Sequence, residues 1–521
     1  MMLRALRPRA ASLCGLALLI VLAGAGCGGK ALPRGTRWVW LVGRPEPAFD
    51  PQGPPEPVRW ALQRLLSRGL TEQDSAGGVV PAAAASWEWS ADSLTLTFRL
   101  RPGLVFADGT PCTAGDFRRG LASGLARTDH ASSLWLLGAV AGMGRVRAGK
   151  PLPALGIEAP DSRTLVLRLS RRDARLPEKL ALPGTSEPWR GESGVGWAGA
   201  RGIGPYRVAS EEPGRTLTLL RLAGAAGPDT IVVRFQPVAA RVLASVRAGA
   251  PDLVWPIPGG LASEARPEGW RLEVREALPR RVLLMVMRAD LPPTSRLPAR
   301  HALTHAVNRD EVMEALGARG RRLETWLPGA GAYEFPALDE VRVRDWMARG
   351  KLGQAFHVTL AYDADGAGAR VARVLQGGWS RLGIYAELRP LRGDRAGREL
   401  LGGLSHVALV EAQSWTDDPA GTLAQLIMPL RGPAAGAFRT GWRTREFDGW
   451  IAPGRGAVAP DPDAAQARLR EEQVALPLAR LPWLWLAREG HPAAAFHPRY
   501  GPECAPGPWP RAGGAVTASA P

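Results

Sequence analysis

Two kinds of hydrophobic pattern along the chain predict β-strands. Apolar and polar residues alternate over residues 94–100 and again over residues 163–170, as they do in strands with one buried face. Residues 282–287 are apolar throughout, which is typical of a central strand covered on both faces. Apolar residues at helical spacing over residues 58–70 predict a helix ahead of these strands.

A strand–helix–strand unit is predicted in the second half of the chain. Residues 356–362 and 384–388 are predicted strands, and residues 367–382 between them place Val371 and Leu375 at helical spacing. Such a unit belongs to a parallel sheet, because the helix returns the chain to the start of the next strand. Since 521 residues exceed what one core usually holds, we expect an α/β protein with two large lobes and a cleft between them.

Two short motifs predict where helices begin. Thr113 is followed three residues later by Asp116, which is the spacing of a capping box. Asn308 with Glu311 has the same spacing and predicts the start of a second helix within residues 300–316. Both motifs are interpreted as scaffold, because their side chains serve the backbone of a helix.

The composition excludes several classes of protein. The chain has 45% hydrophobic and 22% charged residues, which excludes wholesale disorder. Its net charge of +17 comes almost entirely from arginine, since lysine occurs only at Lys30, Lys150, Lys179 and Lys351. The basic residues are spread along the chain without a nucleic-acid-binding module, so we expect no nucleic-acid partner.

The N-terminus has the pattern of an export signal. Basic residues precede an apolar stretch at 13–25, which is too short to span a bilayer as a stable anchor. This stretch ends in Ala-Gly-Ala-Gly just before Cys27 and resembles a bacterial lipobox, although Gly24 stands where leucine is usual. We predict a signal peptide over residues 1–26, lipidation of Cys27 and a periplasmic or cell-surface location; an ordinary secretory signal is the alternative.

The remaining cysteines leave one question open. Cys14 lies within the predicted signal, so Cys112 and Cys504 remain for the mature protein. An oxidising compartment permits a disulfide between them. The sequence alone does not decide between a disulfide and two free thiols.

Several segments in a fixed order carry a family resemblance. They are residues 85–89 (Ala-Ser-Trp-Glu-Trp), 101–111 (Arg-Pro-Gly-Leu-Val-Phe-Ala-Asp-Gly-Thr-Pro), 113–117, 159–165, 202–206, 300–309 and 415–419. Together they resemble family 5 of the extracellular solute-binding proteins, the oligopeptide- and dipeptide-binding proteins of ABC importers. The resemblance covers most of residues 36–490 and implies the two-lobed periplasmic-binding-protein fold with an extra subdomain.

The resemblance also implies a division of the chain into domains. Lobe I is expected to be discontinuous, with an extra subdomain inserted into it, and lobe II to follow. The predicted bounds are 27–57, 190–280 and 485–521 for lobe I, 58–189 for the extra subdomain, and 281–484 for lobe II.

The predicted ligand site lies at Trp415, Asp417 and Asp418. In peptide binders of this family a tryptophan–acid segment lies in the cleft, and an aspartate there pairs with the α-ammonium of the ligand. A carboxylate in such a cleft forms a charge-assisted hydrogen bond, which is stronger than a neutral one. Either aspartate fits this role, and a plain turn is the competing interpretation. Trp255 is a further predicted lining residue, since aromatic side chains offer a large contact area.

Other functions have weaker support in the sequence. There is no Gly-x-Ser-x-Gly elbow and no convincing Ser/His/Asp set, so we expect no enzyme. His301 and His305 are four residues apart but lack the glutamate of a zinc-protease motif, so no metal site or cofactor is predicted. The expected partners are a peptide or related small solute, ABC permease subunits in the inner membrane and the membrane itself through the lipid, with the protein a monomer. The alternatives are a binder fold that has lost transport and serves as a sensor or chaperone, and a binder of a metal chelate or sugar.

Overall fold

The structure is a computed structural model of the whole chain, and it describes most residues after position 35. The described residues are 36–51, 56–126, 136–145, 154–190, 196–258, 261, 267–277, 281–392, 405–414, 419, 421–423, 440–442, 444–446, 461–491 and 496–502. The chain divides into two units, Met1–Thr36 and Arg37–Pro521. Every described helix and strand belongs to the second unit.

The chain combines strands and helices, as the α/β prediction requires. The strands are β1 (Arg37–Val42), β2 (Thr71–Gln73), β3 (Val79–Pro81), β4 (Ala84–Trp89), β5 (Thr95–Leu100), β6 (Ile157–Glu158), β7 (Thr164–Arg168), β8 (Tyr206–Glu212), β9 (Thr216–Arg221), β10 (Thr230–Phe235), β11 (Leu253–Val254), β12 (Trp270–Arg275), β13 (Arg281–Met287), β14 (Phe356–Asp363), β15 (Ile384–Leu391), β16 (Val407–Gln413), β17 (Ala475–Arg480), β18 (Trp483–Arg488), β19 (Phe496–His497) and β20 (Gly501–Pro502). The α-helices are Pro57–Leu66, Ala114–Ala126, Leu176–Leu180, Ala239–Arg247, Leu297–His305, Arg309–Leu316, Glu340–Arg349, Gly368–Ser380 and Pro462–Glu472.

A seven-stranded sheet forms the centre of lobe I. Its order is β12-β18-β11-β1-β10-β9-β8. β1 is parallel to both of its neighbours, β10 and β11, and the other pairs are antiparallel. Side chains of β1 alternate between the two faces: Trp40 and Val42 join one core cluster and Leu41 joins the other. The carboxyl ends of β1, β10 and β11 therefore share one edge of the sheet.

A smaller antiparallel sheet lies between β1 and β8 in sequence. Its order is β4-β5-β7-β6, and it contains both alternating segments of the sequence. β5 and β7 pair so that Leu96 faces Leu167 and Phe98 faces Leu165, all with no exposed surface. The alternation predicted for residues 94–100 and 163–170 is thus confirmed as two strands that share one buried face.

The five-stranded sheet of lobe II contains the predicted parallel unit. Its order is β15-β14-β16-β13-β17. β14 and β15 are parallel and joined by the helix Gly368–Ser380, which confirms the strand–helix–strand prediction. β13 lies between β16 and β17, and its residues 282–287 are at most 5% exposed, as expected of an inner strand.

Both predicted helix starts are confirmed. The Asn308 side chain accepts hydrogen bonds from the backbone N–H groups of Asp310 and Glu311, at 3.0 and 3.3 Å, and caps the helix Arg309–Leu316. At the start of Ala114–Ala126, the Asp116 carboxylate accepts from the backbone N–H and the hydroxyl of Thr113, at 2.8 and 2.9 Å. These side chains therefore have a structural role at the starts of the two helices.

In the described chain, the two large sheets are joined by two connections. One runs from β12 to β13, and the other is the dipeptide Leu481–Pro482 between β17 and β18. The backbone N–H of Leu481 donates to the carbonyl of Arg281 at 2.8 Å, so the start of β13 lies beside the Leu481–Pro482 connection. The predicted end of lobe II at residue 484 falls inside β18, two residues past this connection.

Packing also bears on the predicted start of the extra subdomain. The helix Pro57–Leu66 contributes Val58, Leu62 and Leu66 to the same core cluster as Trp40. A boundary at residue 58 would separate this helix from the seven-stranded sheet on which it packs.

Among the described helices, none has both the length and the apolar character needed to cross a membrane.

Candidate functional site

The carboxyl edges of the two large sheets meet, and their meeting defines the candidate site. In open α/β sheets, ligands bind beyond the carboxyl ends of parallel strands. Arg44 follows β1 in lobe I, and its Nη1 lies 3.7 Å from Oδ2 of Asp363, the last residue of β14 in lobe II. Nη2 of Arg319, from lobe II, donates to the carbonyls of Ile257 and Pro258 beyond β11, at 3.1 and 2.6 Å. Both contacts bridge the lobes.

The lobe I wall depends on a glycine at the end of β1. The backbone N–H of Gly43 donates to the carbonyl of Pro256 at 3.1 Å. A Cβ at position 43 would lie 2.3 Å from Cδ of Pro258 and 2.5 Å from the Pro256 oxygen. Only glycine allows these two backbone segments to approach so closely. The approach fixes the carbonyls that Arg319 contacts.

Glu411 organises the lobe II wall. It lies on β16, where its Oε2 accepts from Arg281 Nη2 and its Oε1 accepts from the backbone N–H of Ala367, both at 2.7 Å. Ala367 is the N-cap of the helix Gly368–Ser380, whose dipole also favours a negative charge there. Burial alone would raise the pKa of Glu411, but the Arg281 and Arg44 guanidinia outweigh it and hold the pKa below its usual range.

The surroundings stabilise the charge of Arg44 more than they stabilise the charge of Asp363. Burial raises the pKa of Asp363, and the facing Arg44 guanidinium offsets this only in part. Burial alone would lower the pKa of Arg44, but Asp363, Glu411, Glu56 and Asp365 together raise it. Arg44 therefore stays positively charged at the junction, and these four carboxylates stabilise its charge.

The structure places Trp255 in a core and not on an exposed wall. Its side chain is 1% exposed, and its ring lies 5.4 Å from that of Trp483 and 5.6 Å from that of Phe496. A Cβ at Gly501 would lie 2.5 Å from its ring, and Trp40 Nε1 donates to its carbonyl at 2.7 Å. Trp255 supports the end of β11 from behind the site. A direct ligand contact by Trp255 stays a prediction that this burial does not favour.

The other predicted site residues, Trp415, Asp417 and Asp418, lie outside the described residues. The chain that leads to them is described: β16 ends at Gln413, and Ser414 is buried and accepts a hydrogen bond from the Thr422 hydroxyl at 3.1 Å. This end of β16 belongs to the same edge as the end of β14, because the two strands are parallel. The predicted segment thus begins at the edge that carries Glu411 and Asp363.

The predicted lipidation residue Cys27 also lies outside the described residues, and so does Cys504. Cys112 is a buried free thiol, and burial raises its pKa to about 12. It is therefore an unreactive core residue at neutral pH.

The two histidines at helical spacing are packed. The His301 ring stacks on Trp346 with ring centres 4.2 Å apart, and its Nε2 lies 3.1 Å from the carbonyl of Glu471. No group of three or more potential metal-ligating side chains exists among the residues that the structure describes.

The sequence interpretation missed the charged residues of the junction. Arg44, Arg281, Arg319, Asp363 and Glu411 are ordinary charged residues in a chain that is rich in arginine. Glu411 and Asp363 carry a local signal, because each is a carboxylate directly after a buried run, Val-Ala-Leu-Val of β16 and Leu-Ala-Tyr of β14. The three arginines have no such signal, and their role became visible only where the two sheets meet.

Comparisons with known proteins agree with this architecture. Residues 78–429 match the family model described as bacterial extracellular solute-binding proteins, family 5 Middle. The periplasmic oligopeptide-binding protein OppA of Escherichia coli (strain K12) is 35% identical over 130 residues. That alignment covers 24% of this chain and 23% of OppA, so it spans about a quarter of the relative's length.

Solved structures extend the likeness to nearly the whole chain. The Escherichia coli murein tripeptide binding protein MppA superimposes with a TM-score of 0.77 at 18% identity, over 91% of this chain and 97% of MppA. The unliganded open form of MppA gives a TM-score of 0.60, over 91% of this chain and 96% of that one. The predicted two-lobed binding-protein fold is confirmed.

Proposed function

Because the chain belongs to family 5 of the bacterial extracellular solute-binding proteins, we propose that it captures a peptide or related small solute and delivers it to the permease of an ABC importer. The observation that carries the proposal is the junction of Arg44, Asp363, Arg319 and Glu411. There the carboxyl edges of the two lobes meet around partly buried charges. A peptide is the first choice of ligand, because OppA binds oligopeptides and MppA a murein tripeptide.

Capture is a hinge motion in this proposal. The described chain of lobe II begins at Arg281 and leaves lobe II at Leu481, and these two residues are hydrogen-bonded to each other, so lobe II can rotate about this point as one body. Ligand contacts that exist only in the closed state would shift the population towards closure. The permease would then recognise the closed form. Binding and release complete this role without covalent chemistry.

The ammonium end of the ligand is assigned to Asp417 or Asp418. Both follow β16 in sequence, and this strand carries Glu411 near its end. A charge-assisted hydrogen bond from the ligand ammonium to either carboxylate would be stronger than a neutral one. Trp415 would cover the ligand backbone beside them. Extended peptides could bind through their main chain, which tolerates many sequences.

Export and anchoring complete the proposal. The signal at residues 1–26 would direct the chain out of the cytoplasm, and lipid on Cys27 would hold the monomer at the membrane beside its permease. Substitution of Cys27 by alanine should abolish incorporation of labelled fatty acid into the protein in its own host. Persistent labelling would contradict the assignment of Cys27.

The test of function is identification of what the protein carries. The mature protein, purified from its own host under mild conditions, is examined by native mass spectrometry, and any bound molecule is released and sequenced. Short mixed peptides support the proposal, and their loss from either Asp417→Ala or Asp418→Ala identifies the aspartate. A metal chelate or sugar would overturn the ligand class. A protein that carries nothing and that no peptide library stabilises would overturn transport and favour a sensor or chaperone.

A further inference from the structure

Side chains of the two lobes contact each other directly at the junction. Nη2 of Arg319 donates to the carbonyls of Ile257 and Pro258, at 3.1 and 2.6 Å. Nη1 of Arg44 lies 3.7 Å from Oδ2 of Asp363. Neither contact includes a residue of the predicted ligand segment 415–418, so a solute takes no part in either of them.

The Arg319 contact joins two segments that are each well anchored. Arg319 ends the turn Gly317–Arg319, and two residues later Arg321 exchanges both backbone hydrogen bonds with Arg480 of β17, each at 2.9 Å. The turn is thereby attached to the five-stranded sheet of lobe II. On the lobe I side, the two carbonyls belong to the segment that packs closely on Gly43. The contact therefore orders little beyond the Arg319 side chain itself, which keeps its entropic cost low.

The Arg44–Asp363 pair lies away from the point where the chain crosses between the lobes. Asp363 ends β14, and β16 separates β14 from β13, whose first residue is at the crossing. Since neighbouring strands lie about 4.8 Å apart, Asp363 is about 10 Å from β13. A rotation of lobe II about the crossing displaces Asp363, and a pair at 3.7 Å is already close to the roughly 4 Å limit of an ion pair. Opening is therefore expected to break this pair.

We propose that Arg319 and the Arg44–Asp363 pair form an interlobe latch, which favours the closed form without a ligand and raises the affinity for every ligand by the same factor. The proposal rests on the hinge motion of the proposed function and adds a regulation of it. The apparent dissociation constant equals the intrinsic one divided by the closed fraction, so contacts that favour closure strengthen binding of any solute. The residues that recognise the solute can then tolerate many solutes while the latch contributes part of the affinity.

Small-angle X-ray scattering measures the latch without a ligand. The mature protein is freed of bound solutes by unfolding in guanidinium, dialysis and refolding. Its radius of gyration is compared with those of Arg319→Gln, Asp363→Asn and the double variant. We expect the natural protein to be the most compact and the double variant the most extended. Asparagine keeps an oxygen for the backbone N–H of Asp365, which donates to Asp363 Oδ1 at 2.9 Å, so this turn is preserved.

Calorimetry measures the consequence for binding. Trialanine, triserine and trileucine, which differ in size and polarity but not in charge, are titrated into each protein. Arg319→Gln should weaken all three by a common factor of about 10- to 100-fold, because hydrogen bonds from a charged donor are lost. Asp363→Asn should weaken them by a common factor of about 2- to 5-fold, as for a partly exposed ion pair.

A control variant removes an ion pair that does not bridge the lobes. Arg271→Gln breaks an exposed pair with Glu489 within lobe I and should change neither the radius of gyration nor the affinities. Circular dichroism verifies that each variant is folded.

The outcomes separate the latch from the proposed function. An equal radius of gyration in all the ligand-free proteins overturns the latch and leaves the proposed function intact. Unequal factors among the three tripeptides would show that these side chains contact the ligand, and would overturn a latch that acts on closure alone. Failure of every tripeptide to bind would overturn capture of short peptides, and the scattering comparison alone would then decide on the latch.

Discussion

The guanidinium carbon of Arg281 lies 3.8 Å from the centre of the Trp483 ring. Arg281 is the first residue of β13 in lobe II, and Trp483 is the first residue of β18 in lobe I. The contact therefore joins the two lobes at the point where the chain crosses between them. The same arginine is paired with Glu411, so the hinge and the wall of the site share one charged group.

We expect Glu411→Gln to destabilise the protein by roughly 2 kcal/mol. The substitution leaves Arg281 without its charge partner, and an unpaired buried charge costs about 3–5 kcal/mol, reduced here because the two side chains remain 13% and 21% exposed. Urea unfolding followed by circular dichroism measures the loss. Glu489→Gln, in an exposed pair with Arg271, is the control and should cost less than about 1 kcal/mol. Equal losses in the two variants would show that Glu411 has no special role.

Gly43→Ala should disturb the junction through the backbone. The added methyl group would overlap Pro258 Cδ and the Pro256 carbonyl, and we expect a destabilisation of about 1–3 kcal/mol from overpacking. Thermal unfolding checks this expectation. Gly377→Ala is a matched control, because a methyl group at position 377 would meet open space and the helix Gly368–Ser380 should gain about 0.5–1 kcal/mol. An unchanged melting temperature for Gly43→Ala would argue against close approach at this edge.

Asn308→Ala should cost about 1 kcal/mol, because two backbone N–H groups of the helix Arg309–Leu316 lose their acceptor. Asn308→Asp should keep most of the stability, since aspartate is an equally good N-cap. Denaturant unfolding of both variants provides the comparison. A loss of the same size in Asn308→Asp would mean that the amide nitrogen, which donates to Glu311 Oε1 at 3.1 Å, matters more than the cap.

The stability of the protein should fall as the pH falls from about 6.5 to about 3 because of His497. Burial, with Arg64 next to it, lowers the pKa of His497 to about 3. In this window the unfolded chain binds a proton that the folded protein does not, so unfolding becomes easier by up to about 1.4 kcal/mol per pH unit. The free energy of unfolding, measured at several pH values, should depend less on pH in His497→Gln. His357→Gln, at an exposed position, should keep the natural slope, and an unchanged slope in His497→Gln would exclude His497 as the cause.

The local structure was predictable from neighbouring residues. Alternation marked β5 and β7, continuous apolarity marked β13, and the three-residue spacings at Thr113 and Asn308 marked two helix starts. These signals are local, because strand faces and helix caps depend on residues within a few positions of each other. The family resemblance then indicated the two-lobed fold, and the ligand site that it implies stays a prediction.

The charged junction was not predictable in the same way. Arg44 and Asp363 are more than three hundred positions apart, and the sequence around each residue does not indicate that they pair. Trp255 shows the same dependence on tertiary structure, since an aromatic residue suited to a ligand wall is enclosed by Trp483, Phe496 and Gly501. Burial and charge balance depend on which segments meet in three dimensions, and no spacing in the sequence encodes that.

The sequence by itself determined many of the elements, because periodicity is a property of the chain, and the family resemblance indicated the class of fold. The ammonium site at residues 415–418 is what that resemblance implies, and it stays a prediction. The tertiary structure decided which charges share the cleft. It brought Arg319 of lobe II to the carbonyls of Ile257 and Pro258 in lobe I, and it bound Glu411 to Arg281. Electrostatic interactions act through space over a few ångströms, so the partner of a charge is fixed only when the segments that carry the two charges have come together.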